Sequence, residues 1–404
     1  MKRRIMTTLA ISCALTMAFT AAASAPSLKV WVADNVTKFT EEQVAAFKEA
    51  NPDYADLDVT VESVGEGDAA GNTITDVEGG ADIFVFAQDQ IARLVAAGAL
   101  EEVAPENVEA IESANDAGAV AAATVGDILY AYPMTSDNGY FLYYDKSVVS
   151  DPSSLEAIVA DCEAAGKNFY FELNSGWYQT AFFFGTGAEL TYETDDSGNF
   201  TSCNASYASD AGLIALKKMI ELKSSPSFQN GSSIGAGTNI GAIVDGTWDS
   251  GAAQDLFGEN FACAKLPTFQ GADGQTYQMS GFGGFKLLGV KPQEEEDKLI
   301  ACDALAAFLS SGDVQLARYE AVGWGPSNLE AQQSDVVQAD TALSALAEQL
   351  AFTIPQGQYP GDYWVLATSL GDSIISGELT TETSDDDLMA TLQKFQDTCL
   401  SYAE

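Results

Sequence analysis

The sequence predicts an α/β chain folded into two lobes, each a central sheet flanked by helices, and three observations carry that reading. Residues 28–33 (LKVWVA), 57–64 (LDVTVESV) and 81–87 (ADIFVFA) are strand-like runs separated at the spacing of crossover units, which implies a parallel, doubly wound sheet. At 404 residues the chain can build two domains with cores of their own. Beyond residue 130 the alternation grows less regular, yet no internal repeat or long low-complexity linker intervenes, which fits two lobes joined by several short crossings. A hydrophobic content of 47% and an aromatic content of 10% suit a folded globule despite a strong charge imbalance.

The elements follow in order. Met1-Lys2-Arg3-Arg4, an apolar stretch over 5–19 and the small residues Ala23-Ser24-Ala25 form the three regions of a secretory signal peptide, cleaved after Ala25 to leave 379 residues. Cys13 makes a poor lipoprotein signal because the apolar segment continues past it, so lipid anchoring there is the lesser alternative. After the strand at 28–33, a helix should open at Thr40: Thr40 can cap it, Gln43 can reach back as capping-box partner, and Phe39 can staple onto Val44. It should end at Asn51-Pro52. The Gly-rich segment 65–71 reads as a surface loop, and a helix over 88–97 should stop at Gly98. Strands are expected at 128–132, 140–144, 169–173, 241–244, 261–266 and 282–289. A hairpin turn is expected over 192–200, with helices at 152–165, 211–222 and 297–310 and a largely helical C-terminal third.

Composition excludes several functions. There are 59 acidic against 18 basic residues, and losing Lys2, Arg3 and Arg4 with the signal peptide takes the net charge from −41 to −44. Such a field repels nucleic-acid phosphates and anionic lipid surfaces. No later segment has 18 or more uninterrupted apolar residues, so nothing else should span a bilayer. Histidine is absent, which removes His-based nucleophile activation, His–metal sites and His pH switches. Cys162, Cys203, Cys263, Cys302 and Cys399 are scattered without a C-x-x-C pair, so neither a metal site nor a cofactor is expected. Five is odd; disulfide pairing among them, or several free thiols, both stay open.

Four motifs invite chemistry and fail on context. Gly231-Ser232-Ser233-Ile234-Gly235 matches a hydrolase elbow, which needs a strand, a sharp turn, a helix and a histidine base. Gly65-Glu66-Gly67-Asp68-Ala69-Ala70-Gly71 places its third glycine one residue late for a dinucleotide loop, and puts acids where a pyrophosphate would lie. Residues 195–199 offer too few oxygen ligands at calcium-loop spacing. Paired carboxylates for a glycosidase occur by chance everywhere in so acidic a chain.

The tryptophans point elsewhere. Of Trp31, Trp177, Trp248, Trp324 and Trp364, three lie in polar or Gly-rich settings: Ser175-Gly176-Trp177-Tyr178-Gln179, Gly246-Thr247-Trp248-Asp249 and Gly361-Asp362-Tyr363-Trp364. Flat rings stack on the C–H faces of pyranoses while neighbouring carboxylates and amides hydrogen-bond hydroxyls, the two ingredients of a sugar cleft. The alternative is that each ring packs a lobe surface or interface.

Segment order adds a resemblance. Leu28-Lys29-Val30-Trp31-Val32, Ala81-Asp82-Ile83-Phe84-Val85-Phe86-Ala87-Gln88-Asp89, Ala131-Tyr132-Pro133, Leu142-Tyr143-Tyr144-Asp145-Lys146, Gly246-Thr247-Trp248, Leu266-Pro267-Thr268-Phe269, Ile354-Pro355-Gln356 and Tyr363-Trp364 stand in family order. Together they resemble the maltose/maltodextrin-binding proteins of bacterial ABC importers, within the extracellular solute-binding family. The resemblance implies a type II periplasmic-binding-protein fold. Its N-terminal lobe would span 26–135 with 281–327, and its C-terminal lobe 136–280 with 328–404, the crossings falling near Thr135, Ser280 and Ser327.

It also implies a monomeric, non-enzymatic component that captures an oligosaccharide by lobe closure for the importer's membrane subunits. Asp34 or Asn35, Phe86 and Asp89 would meet sugar from the N-terminal lobe, and Asp137 near the crossing would accept hydroxyl bonds. Trp177, Trp248 and Trp364 would form the aromatic platform, with Tyr178 and Tyr363 beside it. The chain departs from the pattern in Gln90, where maltose binders carry arginine, in lacking a lysine after the first strand, and in a 133–144 crossing one residue longer. Another oligosaccharide, a polyol or a peptide as cargo, an extracellular glycosidase and a non-transport adhesion protein are the alternatives.

Overall fold

Ser27–Val32 is a strand because its apolar residues are wanted on both faces. It runs parallel to Asp58–Ser63 on one side and to Ile83–Ala87 on the other. The computed structural model describes residues 26–195 and 198–403, so the expected signal peptide lies outside the described residues. Ile83, Phe84, Val85 and Phe86 are all buried, as expected of a central strand covered on both faces. Lys286–Val290 then inserts antiparallel between Ile83–Ala87 and Ala131–Thr135, completing a five-stranded sheet. The purely parallel sheet expected from the N-terminal rhythm therefore takes in a strand from far along the chain. Its core holds Val30, Phe84, Phe86, Leu287, Leu305 and Trp324.

A second five-stranded sheet has the order Phe228–Gln229, Asn168–Tyr170, Ile240–Gly246, Tyr140–Asp145, Phe261–Ala264. Its centre, Ile240–Gly246, is buried throughout. One core, with Phe169, Phe182, Leu216, Phe269 and Leu392, covers one face, and a smaller cluster around Phe141, Tyr143 and Ile243 covers the other. The chain passes from the first sheet to the second between Thr135 and Tyr140 and returns between Ala264 and Lys286. Helix Glu296–Leu309 packs on the first sheet and Thr341–Leu350 on the second, so a third passage runs between them. The passages are bonded to one another: Ser136 N–H donates to Gly325 O at 3.1 Å and Asn138 N–H to Gly284 O at 3.0 Å.

Three local expectations are corrected. The first helix spans Asp34–Ala50 and so begins six residues before Thr40. Val36, Phe39, Thr40, Val44 and Phe47 form its buried stripe, and Asp34 complements the dipole at its first turn. Thr40 is interior and donates back to Val36 O at 2.9 Å, so the capping-box reading fails. Residues 65–71 do not form a loop: Glu66–Thr75 is a helix, with Ala69, Ala70 and Thr73 as its buried face. Tertiary packing there overrides the low helix propensity of glycine. The helix expected over 88–97 is a 3₁₀ turn, Gln88–Gln90, running into Ile91–Ala96, with left-handed Gly98 (φ +65°) just beyond.

The hairpin around 192–200 forms from Leu190–Thr194 and Phe200–Ala205. Asn199 N–H donates to Asp195 Oδ1 at 2.9 Å, so that carboxylate braces the turn; residues 196–197 lie outside the described residues. In the second lobe, helix Gly361–Ile375 lies against the 173–177 loop at a distance only glycine allows. A Cβ on Gly371 would sit 2.2 Å from Leu173 O and 2.3 Å from Asn174 Cα, and one on Gly176 would sit 2.6 Å from Ala367 Cβ. Gln179 stitches the seam, donating to Leu173 O at 2.7 Å and Ala367 O at 2.8 Å. Gly371→Val is therefore expected to destabilise by about 2 kcal/mol or more, read as a lower midpoint in thermal unfolding; an unchanged midpoint would show that the seam can open.

Candidate ligand-binding cleft

A cleft of about 850 Å³ lies between the two sheets. One wall comes from helix N-termini and turns of the first lobe. Asp34 and Asn35 open the first helix, Glu66, Gly67, Asp68 and Gly71 lie on the second, and Asp89, Gln90 and Arg93 sit on the turn and helix after Ile83–Ala87. A Cβ at Gly67 or Gly71 would meet nothing within 4 Å, so these glycines leave open space in the wall. The other wall is aromatic: Trp177, Trp248 and Trp364, with Asp249 and Gln356 between them. Asn138, Lys286 and Trp324 line the cleft where the chain passes between the sheets.

Local backbone fixes the indoles. Trp248 lies in the 3₁₀ turn Thr247–Asp249, directly after the buried strand Ile240–Gly246. Its ring folds back over Gly246, where a Cβ would come within 2.1 Å of it. The Trp177 and Trp248 rings stand 5.9 Å apart and tilted by 40°. Trp177 Nε1 donates to Gln356 Oε1 at 3.1 Å. Trp364 packs on Tyr363 (4.8 Å) and Tyr359 (5.7 Å), and its indole N–H finds no acceptor among the described residues. Asp249 accepts from Ile234 N–H at 3.0 Å. The buried Asp245 carboxyl beneath it is pushed well up the pH scale, by burial first and by Asp249 second.

Of the sequence-expected site residues, Asp34, Asn35, Asp89, Trp177, Trp248 and Trp364 line this one cleft. Four others do not, and each is a correction. Phe86 is fully buried in the first core because its strand is covered on both faces. Tyr178 is buried behind Trp177, meeting its ring edge-on at 5.1 Å and packing on Tyr140 at 4.7 Å within the second core. Tyr363 sits one helical step from Trp364, faces the second core and donates to Gly176 O at 3.0 Å. Asp137 is buried and engaged within the protein, accepting at Oδ2 from Thr247 Oγ1 and Gly325 N–H, both at 2.6 Å.

Sequence reasoning missed Arg93, Lys286, Trp324 and Gln356. Trp324 carried a readable signal, since Gly323-Trp324-Gly325 is as Gly-rich as the other three settings. Arg93 lies one helical turn beyond Asp89 and bears on the missing arginine at Gln90. The Arg93 guanidinium donates to Gln90 Oε1 and the Gln90 amide donates to Asp89 Oδ2, so the cation reaches Asp89 through an amide. Burial raises the Asp89 carboxyl to about 7, with Arg93 opposing the shift. Arg93 is itself lowered by burial, against the pull of Asp89 and Asp362. Five carboxyl groups against two cations leave the lining acidic. Among the described residues, no group of three or more His, Cys, Asp or Glu could hold a metal ion, and Cys162, Cys203, Cys263, Cys302 and Cys399 are free.

The sequence profile of the bacterial extracellular solute-binding proteins matches residues 42–345. The chain belongs to that family. Membership carries with it export from the cytoplasm. No curated protein sequence matches the chain. Among solved structures it is similar to a protein solved with acarbose, at 25% identity and a TM-score of 0.80, covering 94% of this chain and 100% of that one. The maltodextrin-binding protein of L. casei BL23, solved without ligand, matches at 23% identity and a TM-score of 0.73 over 92% and 99% of the two chains. The maltose-maltodextrin binding protein of Alicyclobacillus acidocaldarius matches at 20% and 0.73 over 91% and 100%. The two-lobed α/β architecture expected from the sequence is thus that of the family.

In this solute-binding protein the two walls also touch beside the cleft, through glutamines. Gln358 donates to Gln88 O and accepts from Ala92 N–H, each at 3.0 Å, and the Gln88 amide donates to Gln356 O. The Asp89 carboxyl close by has a consequence for stability. Its folded value of about 7 lies above its ordinary 3.8, so the folded protein holds an extra proton between those values. Stability from this group is therefore full below pH 4, falls as pH rises towards 7 and levels off above it. Asp89→Asn should remove that slope and raise ligand-free stability at pH 8 by on the order of a few kcal/mol. Unfolding midpoints of both proteins from pH 4 to 8 check this; parallel curves would place Asp89 in a wetter setting.

Proposed function

We propose that this solute-binding protein is the substrate-capturing component of an ABC sugar importer and takes maltose- or maltodextrin-type oligosaccharides. The observation that carries the reading is the pairing of three indoles, Trp177, Trp248 and Trp364, with a facing wall of carboxyl, amide and guanidinium groups across one cleft. Indoles stack on pyranose C–H faces, and Asp34, Asn35, Asp89 and Arg93 offer acceptors and donors to hydroxyls. An acidic lining disfavours anionic cargo and leaves neutral sugars unopposed. Similarity to proteins solved with acarbose and, in a Bdellovibrio bacteriovorus protein 17% identical, with maltotriose supports the same class of ligand.

In this reading residues 26–135 with 281–327 form one lobe and 136–280 with 328–404 the other. Sugar stacks on the second lobe first; contacts to both walls exist only when the lobes close, so ligand shifts the population to the closed form that the importer's membrane subunits engage. The protein acts in this reading as a monomer that binds and releases its cargo unchanged; the absence of histidine removes histidine-based catalysis only. Export proceeds through residues 1–25, with cleavage after Ala25; the mass of the secreted protein separates this from lipidation at Cys13.

Thermal unfolding against a sugar panel tests the proposal. A ligand bound only by the folded state stabilises it by about 2.7 kcal/mol at a hundred times its dissociation constant. Maltose, maltotriose or longer α-glucans are expected to raise the midpoint, and Trp248→Ala and Trp364→Ala each to weaken binding about tenfold or more, or ~1.4 kcal/mol. A shift with a different sugar alone would keep the mechanism and replace the cargo. Silence across the panel, or wild-type affinity in both variants, would sink sugar capture on this platform.

A further inference from the structure

Among the described residues three lysines are almost wholly buried, and two of them have acceptors there. Lys218 Nζ lies 3.0 Å from Glu156 and 2.9 Å from Glu221, and Lys291 Nζ donates to Glu78 O at 3.0 Å and Gly80 O at 3.2 Å. Lys286 has none. Its ammonium is sealed from solvent without a hydrogen-bond partner, and the Asp137 Oδ1 beside it stands at 3.9 Å, beyond hydrogen-bonding reach. What surrounds the ammonium instead is aromatic: the Trp324 ring centroid at 4.3 Å and that of Trp248 at 5.0 Å. A buried ammonium without acceptors is costly and calls for a reason. Both rings, and Lys286 itself, line the cleft.

We infer that Lys286 is the positioning residue of the ligand platform: its ammonium holds the Trp248 ring at the cleft floor, with the buried Trp324 ring fixed behind it. The inference rests on the sugar-capture reading. A cation near an indole is attracted by the ring's quadrupole, most strongly where water is excluded. Turning either ring away would strip the ammonium of its surroundings without supplying an acceptor, so each ring's orientation is tied to the other's. Ligand would meet the Trp248 ring and not the nitrogen, which is sealed from solvent. The gain is preorganisation, because the platform needs no ordering when sugar arrives.

The test is calorimetric titration, with the tightest α-glucan of the panel, of the wild type, Lys286→Met and Lys286→Arg, together with the ligand-induced change in tryptophan fluorescence. Lys286→Met is expected to bind at least tenfold more weakly and to lose most of the fluorescence change. Lys286→Arg, which keeps a cation between the rings, should recover affinity to within about threefold of the wild type. A folded Met variant with wild-type affinity, or an Arg variant as weak as Met, would overturn the inference while leaving sugar capture standing. A wild type that binds no sugar would remove both. If the Met variant does not fold, Trp324→Phe carries the test, with a clear loss of affinity expected and an unchanged affinity fatal to the idea.

Discussion

The passages between the two sheets and one wall of the cleft are tied together by one buried carboxylate, Asp137. It stands on the first passage between the sheets, accepts from Thr247 in the turn that bears Trp248, and accepts from the Gly325 N–H on the third passage. Lys286, the first residue of the strand that follows the second passage, supplies the nearby charge. A carboxylate taken out of water this way depends on its two bonds at Oδ2 and on the Lys286 charge 3.9 Å from Oδ1, and removing one partner of such a group typically costs about 3–5 kcal/mol. The carboxylate fixes the three passages relative to one another and, through Thr247, fixes one wall of the cleft to all of them. Asp137 thus lies behind the cleft, buried, with its Oδ2 engaged by the protein.

The cleft built on that anchor divides labour between its walls. The aromatic wall is built on regular backbone: strand end, 3₁₀ turn and helix hold its rings, Asp249 is its lining carboxyl, and the seam at Gly176 and Gly371 brings the Trp177 loop against the Trp364 helix. The opposite wall is polar and titratable. Arg93 acts on Asp89 through the Gln90 amide, and burial outweighs that cation, leaving the carboxyl poised near neutrality. A group that exchanges donor for acceptor character near neutral pH is suited to hydroxyls, which can answer either form.

Much of this was legible from the residues. Continuous apolar runs such as IFVFA announce strands buried on both faces, and tryptophans set among Gly, Asp and Ser announce rings at an open site. What escaped did so for physical reasons. The Thr40 capping box is a genuine local signal, but the stripe beginning at Val36 extends the helix past it. Glycines at 65, 67 and 71 masked a helix whose apolar face is only Ala69, Ala70 and Thr73. Tyr178 and Tyr363 were separated from Trp177 and Trp364 by a single residue step, and on a helix or tight turn that step redirects a side chain by roughly 100°. The cluster of Asp137, Lys286 and Trp324 joins three distant passages, and no spacing along the chain reveals it.

The glutamine contacts bear on how capture would be driven. Gln88, Gln356 and Gln358 join the two walls directly, beside the cleft. A ligand shifts a conformational equilibrium only by the difference in its affinity for the two states. Contacts that already favour closure reduce the shift the ligand must supply, and moving a population from 1:99 to 99:1 would otherwise take about 5.5 kcal/mol of differential binding. The same contacts, if too favourable, would close the lobes without cargo and present a false signal downstream. Neutral amides meet both demands, since each such bond contributes only about 1 kcal/mol net and water offers the same partners when the lobes part. Under the proposed mechanism the three glutamines would bias the closed state without locking it, and a ligand stacked on the indoles would decide between the two states.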